Sequence, residues 1–371
     1  MNVLIVTEPE DLHAQLVKLA LHDRDHACTL WYIADMPTKQ MNSIYCSNER
    51  YTWLSKSSLN EVEIAADKFD IVWWRRVKRP FVPFNVHKND FDFIKKENNY
   101  FCGAIPLSIV KGPWWINPYE SINYASSKPY QLKLASASGF KIPSTLISNS
   151  PEHIKAFIAA NKKNEVIYKS FCSHHWYENE RLKLSYTQSV TLEQLPSDPV
   201  LQMTPGMFQE KLKKKYELRV TAFGDYLVAV KINSQGHPKG LADWRVIPPL
   251  ELKIEPYSLS SEVSNMIRIF MKNLGIVFGC FDFVVTPEDE IYFLEVNQQG
   301  QFLWIEELLP EMKMLNTFVS FLLQKKRSFN GDNAVEVFSL KDYESRAFQI
   351  IEQNRIHHIC LNAIKKPELA I

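Results

Sequence analysis

The sequence predicts an α/β (α+β) chain of three successive units followed by a short extension. Three observations carry that prediction. Near the start, short apolar runs of strand length alternate with segments of helical spacing, the pattern of a small α/β layer. In the middle, a second set of helices and strands is punctuated by Gly139 and by Ser150-Pro151. From Gly206 onward the pattern changes to long strands joined by hairpin signals, with one clear amphipathic helix. The units are an N-terminal α/β domain over 1–118, a small central α/β domain over 119–205 and a C-terminal antiparallel-sheet domain over 206–325. Residues 326–371 form an extension whose role the pattern does not reveal.

Each element has a local reason. Val3 to Val6 reads as a buried strand, and Glu8 to Leu21 has helical spacing. Cys28 to Ile33 and Asp70 to Arg76 are further strands. In the second of these, Trp73 and Trp74 suit a core, while Arg75 and Arg76 suit either solvent or an acidic peptide. A helix is expected from Tyr119 to Gly139, stopped by that glycine. Phe140 to Ile147 is extended, Pro151 opens a helix that reaches Ala160, and Glu165 to Ser170 is a strand. Phe208 to Leu212 is extended, and Tyr216 to Thr221 pairs with Tyr226 to Asn233 around Gly224-Asp225. Ser260 to Leu274 is an amphipathic helix capped by Ser260 or Ser261. Asp342 to Asn354 has helical character.

Composition narrows the function. The net charge of +1 argues against a general nucleic-acid binder, which needs a basic excess. Cysteines at 28, 46, 102, 172, 280 and 360 form no C-x-x-C pair, so reduced thiols are expected rather than a disulfide or zinc framework. No apolar run has membrane-spanning length, and Met1 to Thr7 is too short and lacks the basic region of a signal peptide. A cytoplasmic location is expected.

The most informative residues are Asp282, Glu295 and Asn297. Phe281 to Val285 and Ile291 to Val296 read as two strands joined by Thr286-Pro-Glu-Asp-Glu290. Period-two alternation turns Asp282 away from Phe281 and Phe283, and puts Glu295 and Asn297 on one face. The hairpin thus gathers two carboxylates and an amide oxygen, hard ligands suited to Mg²⁺ shared with a phosphate. The alternative is an ordinary hairpin whose acids face water. Glu295, between Leu294 and Val296, weighs against it, because an unpaired charge in an apolar run is costly.

The stretch Phe293-Leu-Glu295-Val-Asn297-Gln-Gln-Gly300-Gln301-Phe302, with Asp282 before it, resembles the metal-binding end of ATP-grasp ligases. It is most similar to the ATP-grasp maturases of ribosomal peptides, the microviridin-type or graspetide ligases. Trp73-Trp-Arg-Arg76 and Asp243-Trp-Arg245 resemble segments of the same enzymes, and the likeness runs from the first strand to about Leu323. The resemblance implies the ATP-grasp fold with an N-terminal pre-ATP-grasp domain. It implies an enzyme that converts a carboxylate into an acyl phosphate with ATP and Mg²⁺, for attack by an amine or hydroxyl. By position, Lys128 and Lys169 resemble the two phosphate lysines. Gln209-Glu210-Lys211-Leu212 resembles the adenine hinge, with Glu210 beside the base and Lys211 and Leu212 offering backbone contacts. Glu217 resembles the acid that holds the ribose, and Asp282, Glu295 and Asn297 the metal ligands. Arg219 and Lys231, on adjacent strands, could face one groove, and Arg245 is the candidate for steadying the acyl phosphate.

The implied partner is an acidic precursor peptide with a leader, whose side chains become linked as esters or amides. A homodimer through the apolar surface of the first unit is also allowed. Two other readings stay open: a ligase for free amino acids or for a protein tail, and a nucleotide-binding regulatory protein without turnover. One departure stands out. Ser170 to Glu180 contains no glycine, unlike the glycine-rich loop that covers phosphates in many ATP-grasp enzymes. His174 and His175 there are adjacent, so as strand residues they would face opposite ways, and they are read as loop residues rather than metal ligands.

Overall fold

The N-terminal strands bury both faces because they are parallel and covered on each side. A computed structural model describes residues 1–49, 51–58, 63–65, 68–109, 111–161, 165–171, 175–178, 181–184, 187–241, 243–331 and 339–361. The first sheet runs Ala27–Tyr32, Asn2–Thr7, Ile71–Trp74, Trp114–Ile116, all neighbours parallel. Alternation sends Trp73 into one core and Trp74 into another, so the tryptophans serve two layers at once. A three-stranded antiparallel sheet, Gln40–Cys46, Tyr51–Ser57 and Glu63–Ala65, and a helix, Phe91–Ile109, were not signalled by the sequence pattern. The sheet carries exposed Tyr45 and Tyr51 among polar residues, so its hydrophobic alternation is weak.

The long helix expected from Tyr119 is two helices, Tyr119–Ala125 and Lys128–Ala137. They break at Ser126-Ser127, where Ser127 is extended and Pro129 follows at the start of the second helix. The central sheet has the order Gln188–Val190, Val166–Lys169, Gly206–Glu210, Thr145–Ser148. Gly206–Glu210 therefore completes this sheet rather than opening the next one, with Phe208 opposite Tyr168 and Gln209 opposite Ile167. The glycine-free stretch read as a loop contains the strand His175–Glu178, which pairs as a hairpin with Arg181–Leu184 just beyond it. His174 and Cys172 lie outside the described residues.

The large sheet is antiparallel, in the order Ile254–Pro256, Tyr226–Ile232, Tyr216–Phe223, Phe278–Val285, Ile291–Asn297. Helix Ser261–Leu274 covers one face. Ser260 Oγ accepts from Val263 N, and Gly275 ends the helix in the left-handed region at φ 77°. The other face packs on the N-terminal domain through Phe223, Phe278, Phe302, Phe318 and Trp73, with Trp73 and Phe318 centroids 4.5 Å apart. The extension is not a loose tail in its described part. Helix Leu340–His357 lies along Leu12–His22, Asn354 Nδ2 donates to Pro9 O and Tyr32 Oη, and Arg355 pairs with Glu10. No helix among the described residues is long and apolar enough to cross a membrane.

Asn117 joins the first sheet to the large one. Its Oδ1 accepts from Val277 N and Phe278 N, both at 2.7 Å, and its Nδ2 donates to Phe278 O at 2.9 Å and Gln298 O at 3.0 Å. Asn117→Ala leaves these buried groups without partners and is expected to cost about 2–3 kcal/mol of stability. A lowered denaturant midpoint checks this, and an unchanged midpoint refutes it.

Candidate active site

The two carboxylates of the late hairpin face each other across adjacent strands. Asp282 is the register partner of Glu295 on one side and of Arg219 on the other. A register shift follows at Asp282/Phe283, so that Phe283 pairs with Phe293 and Leu294 is the extra residue. Leu294 and Glu295 consequently both reach a cleft of about 290 Å³ between the central and large sheets.

Cations hold the acids from both sides. Arg219, buried, donates from Nη1 to both oxygens of Asp282 at 2.8 Å. Lys128 Nζ lies 3.0 Å from Glu295 Oε2. Its place follows from Gln131, one turn later, whose side chain pairs with the backbone N and O of Val296 and so registers the helix on the strand. Burial pushes the Asp282 carboxyl up, with Arg219 opposing and Glu295 adding to the rise. Burial also pushes Glu295 upward, but Lys128, Arg245 and Lys169 outweigh it and hold Glu295 below its ordinary value. Two acids this close, unequally poised, fit a divalent ion, which would favour the ionised form of both. Asn297 lies on the same face, two residues along, at the exposed end of the strand, and its Oδ1 accepts from Gln299 N at 3.0 Å. Among the described residues no cluster of three His, Cys, Asp or Glu side chains could hold a metal alone. Two carboxylates and an amide suit an ion completed by phosphate and water.

The nucleotide candidates converge on the same cleft. Lys128, Lys169, Gln209, Glu210, Lys211, Leu212, Glu217, Arg245, Asp282 and Glu295 all line it. Lys169 Nζ donates to Gln209 Oε1 at 2.8 Å. Burial, helped by Lys128, Lys214 and Arg245, lowers its pKa to about 8. Glu217 is buried, its Oε1 2.7 Å from Lys214 Nζ, and burial pushes its carboxyl up while Lys214 and Ser234 oppose the rise. A carboxylate at the cleft wall is a good acceptor for a sugar hydroxyl.

Several expectations change. Lys231 does not share a groove with Arg219. Its register partner is Leu218, which places it on the opposite sheet face, paired with Glu255 and over the Tyr216 ring. Arg245 cannot offer its Nε–Nη2 edge to a phosphate, because Asp243 already takes that fork at 2.8 and 2.7 Å. Nη1 is the atom left for an oxyanion. The Glu210 carboxylate accepts from Ser144 N at 2.9 Å, and the Lys211 N–H already donates to Glu165 O. Arg75, expected at solvent or at a peptide, is fully buried. Sequence reasoning missed Lys214, Asp243 and Trp244 as cleft residues. Asp243 was findable, since an Asp two residues before an Arg readily forms the side-chain turn seen here, with Arg245 N donating to Asp243 Oδ1 at 3.1 Å.

Solved structures share this arrangement of domains. A Chryseobacterium gregarium RiPP-associated ATP-grasp ligase, in complex with ADP and a leader and core peptide, is 26% identical with a TM-score of 0.78, covering 91% of this chain and 100% of its own. The macrocyclase MdnC of Microcystis aeruginosa MRC, bound with precursor peptide MdnA, is 25% identical with a TM-score of 0.75, covering 87% and 100%. The macrocyclase MdnB of the same organism shares the fold at 23% identity and a TM-score of 0.73, covering 86% and 98%. No family model matches the chain, and no curated protein matches it significantly. The chain is an ATP-grasp ligase.

In this ligase burial brings the charge change of Lys169, a cleft residue, close to ordinary pH. Its cationic form is the one that would attract a triphosphate, and its pKa is lowered to about 8. Above that pH, binding must restore a proton. ATP affinity is therefore expected to fall as pH rises above 8, by up to about tenfold per unit, and Lys169→Met should flatten the slope. Calorimetric titration across pH 7 to about 9.5 checks this; a flat wild-type profile refutes it.

Proposed function

We propose that this ligase activates side-chain carboxylates of a ribosomal precursor peptide and couples them to hydroxyl or amine side chains. The observation that carries the reading is the facing Asp282–Glu295 pair in one cleft with Lys128, Lys169 and Arg245, backed by the buried Arg219 on Asp282. It is supported by likeness to ligases solved with precursor, leader or core peptides.

Lys128, Lys169 and Lys214 attract and align the triphosphate, and Glu217 accepts from the ribose. Asp282, Glu295 and Asn297 would hold Mg²⁺, which when bound neutralises and orients the phosphate oxygens. A substrate carboxylate oxygen attacks the γ-phosphorus, the bond to the β-phosphate oxygen breaks, and ADP leaves. The acceptor oxygen or nitrogen then attacks the acyl carbon. Phosphate departs and the acceptor's proton is lost, giving an ester or amide. Arg245, steered by Asp243, presents Nη1 to the developing negative charge. The enzyme needs no nucleophile of its own, since the peptide supplies both acid and acceptor. The expected homodimer has no support in the geometry and the reading does not use it.

Incubation with ATP, Mg²⁺ and an acidic candidate peptide should remove one water per link by mass spectrometry, and Glu295→Gln should abolish that loss while circular dichroism stays native. Coupling to free amino acids alone would overturn the peptide reading; full activity in Glu295→Gln would overturn the metal assignment. Arg245→Ala should slow linkage by about 100-fold or more, the scale of a lost oxyanion donor, with nucleotide affinity nearly unchanged. A loss confined to ATP affinity would show that Arg245 serves only the nucleotide.

A further inference from the structure

The segment after Asn297 is pinned residue by residue, and mostly from another domain. Arg75 Nη1 donates to Gln299 O at 2.6 Å and to Gly300 O at 2.9 Å. Arg219 Nη2 donates to Gln301 O at 2.9 Å. His13 Nε2 accepts from Phe302 N at 3.1 Å and Leu303 N at 3.2 Å. Every residue from 299 to 303 is thus held by a side chain, and four of the five by the N-terminal domain.

The holders are themselves fixed. Arg75 follows the strand Ile71–Trp74, its Nε donating to Asp11 Oδ2 at 2.6 Å and its guanidinium 4.8 Å over the Trp73 ring. Asp11 also accepts from Thr7 Oγ1 at 2.5 Å. Asp11 and His13 flank the start of helix Leu12–His22, so one helix end supplies both the anchor of Arg75 and the second clamp. Burial, reinforced by Arg75, takes His13 down to about 3, which keeps it neutral and able to accept both N–H groups.

The clamp leads directly to Asn297. Gln299, whose carbonyl Arg75 holds, donates its N–H to Asn297 Oδ1, and Gly300 donates its N–H to Asn297 O at 3.2 Å. Gly300 packs so closely on the Cys280 side chain that no Cβ fits there. Docking of the two domains does not require this polar device. The aromatic cluster of Trp73, Phe302 and Phe318 already joins them, and a buried guanidinium is an expensive way to add adhesion.

We propose that Arg75 and His13 are positioning residues for the divalent ion, setting Asn297 through the backbone of residues 299–303. The inference rests on the metal reading of the late hairpin. Its effect should be that of an outer-shell partner, about 10- to 100-fold in metal affinity.

The test uses the full chain and Mn²⁺ as a spectroscopic probe, titrated by electron paramagnetic resonance with a nonhydrolysable ATP analogue. Arg75→Lys and His13→Leu should each weaken Mn²⁺ by about 10- to 100-fold, while analogue affinity in chelator stays at the wild-type value. Arg355→Ala, which removes a remote ion pair with Glu10, should lower Tm and leave Mn²⁺ affinity alone. A folded Arg75→Lys with wild-type Mn²⁺ affinity overturns the proposal; if that variant does not fold, His13→Leu decides by the same criterion. Glu295→Gln separates the two levels. If it binds Mn²⁺ like wild type, the metal reading fails and this inference with it. If it loses Mn²⁺ while Arg75→Lys and His13→Leu keep it, only the inference fails.

Discussion

Two carboxylates cannot sit opposite each other in an apolar sheet unless cations surround them, and the rest of this site is organised around that constraint. Asp282 and Glu295 lie on neighbouring strands of the large sheet. Arg219 meets Asp282 from the next strand and Lys128 meets Glu295 from a helix start. Removing Arg219 would leave the buried Asp282 without its hydrogen-bonded cation, a costly loss, whereas Glu295 would keep Arg245 and Lys169 if Lys128 were removed. The same arrangement explains why Asp282 is poised upward and Glu295 downward. In the proposed function a divalent ion would complete the positive surround of the pair.

The constraint extends outward to the domain junction. Arg219 reaches beyond Asp282 to Gln301 O, and Arg75 and His13 hold the residues on either side. The N-terminal domain thus holds the end of strand Ile291–Asn297 without lining the cleft. Its core and that of the large sheet are continuous, from Val3 and Trp73 through Phe278 to Phe318 and Tyr343. The extension belongs to this body too, since Glu306 accepts from both Leu315 N and Leu340 N and ties helix Leu340–His357 to the sheet.

On the other side of the cleft the segment from Ser234 to Glu251 is a run of short turns with few strand or helix bonds of its own. It carries Asp243, Trp244 and Arg245 to the site. Trp244 packs against Trp304 with centroids 5.1 Å apart, which links this segment to the loop clamped by Arg75 and His13. The acyl-phosphate candidate and the metal candidates are therefore anchored to one stretch of backbone.

What the amino-acid pattern determined was local. Alternation within Phe278–Val285 and within Ile291–Asn297 decided that Asp282 turns away from Phe281 and Phe283 and that Glu295 and Asn297 share a face, because a strand has a period of two whatever it packs against. Gly224-Asp225 and Ser260 marked a hairpin and a cap from their own chemistry. Only the tertiary structure could decide across strands and between domains. Lys231 reads as a neighbour of Arg219 in the sequence, yet the register opposite Leu218 turns it to the other face. Arg75 reads as a surface charge, yet Asp11, in another segment of its domain, and two carbonyls more than two hundred residues away hold it in the interior. Register and long-range partners depend on how whole elements dock, and no local window of residues contains that information.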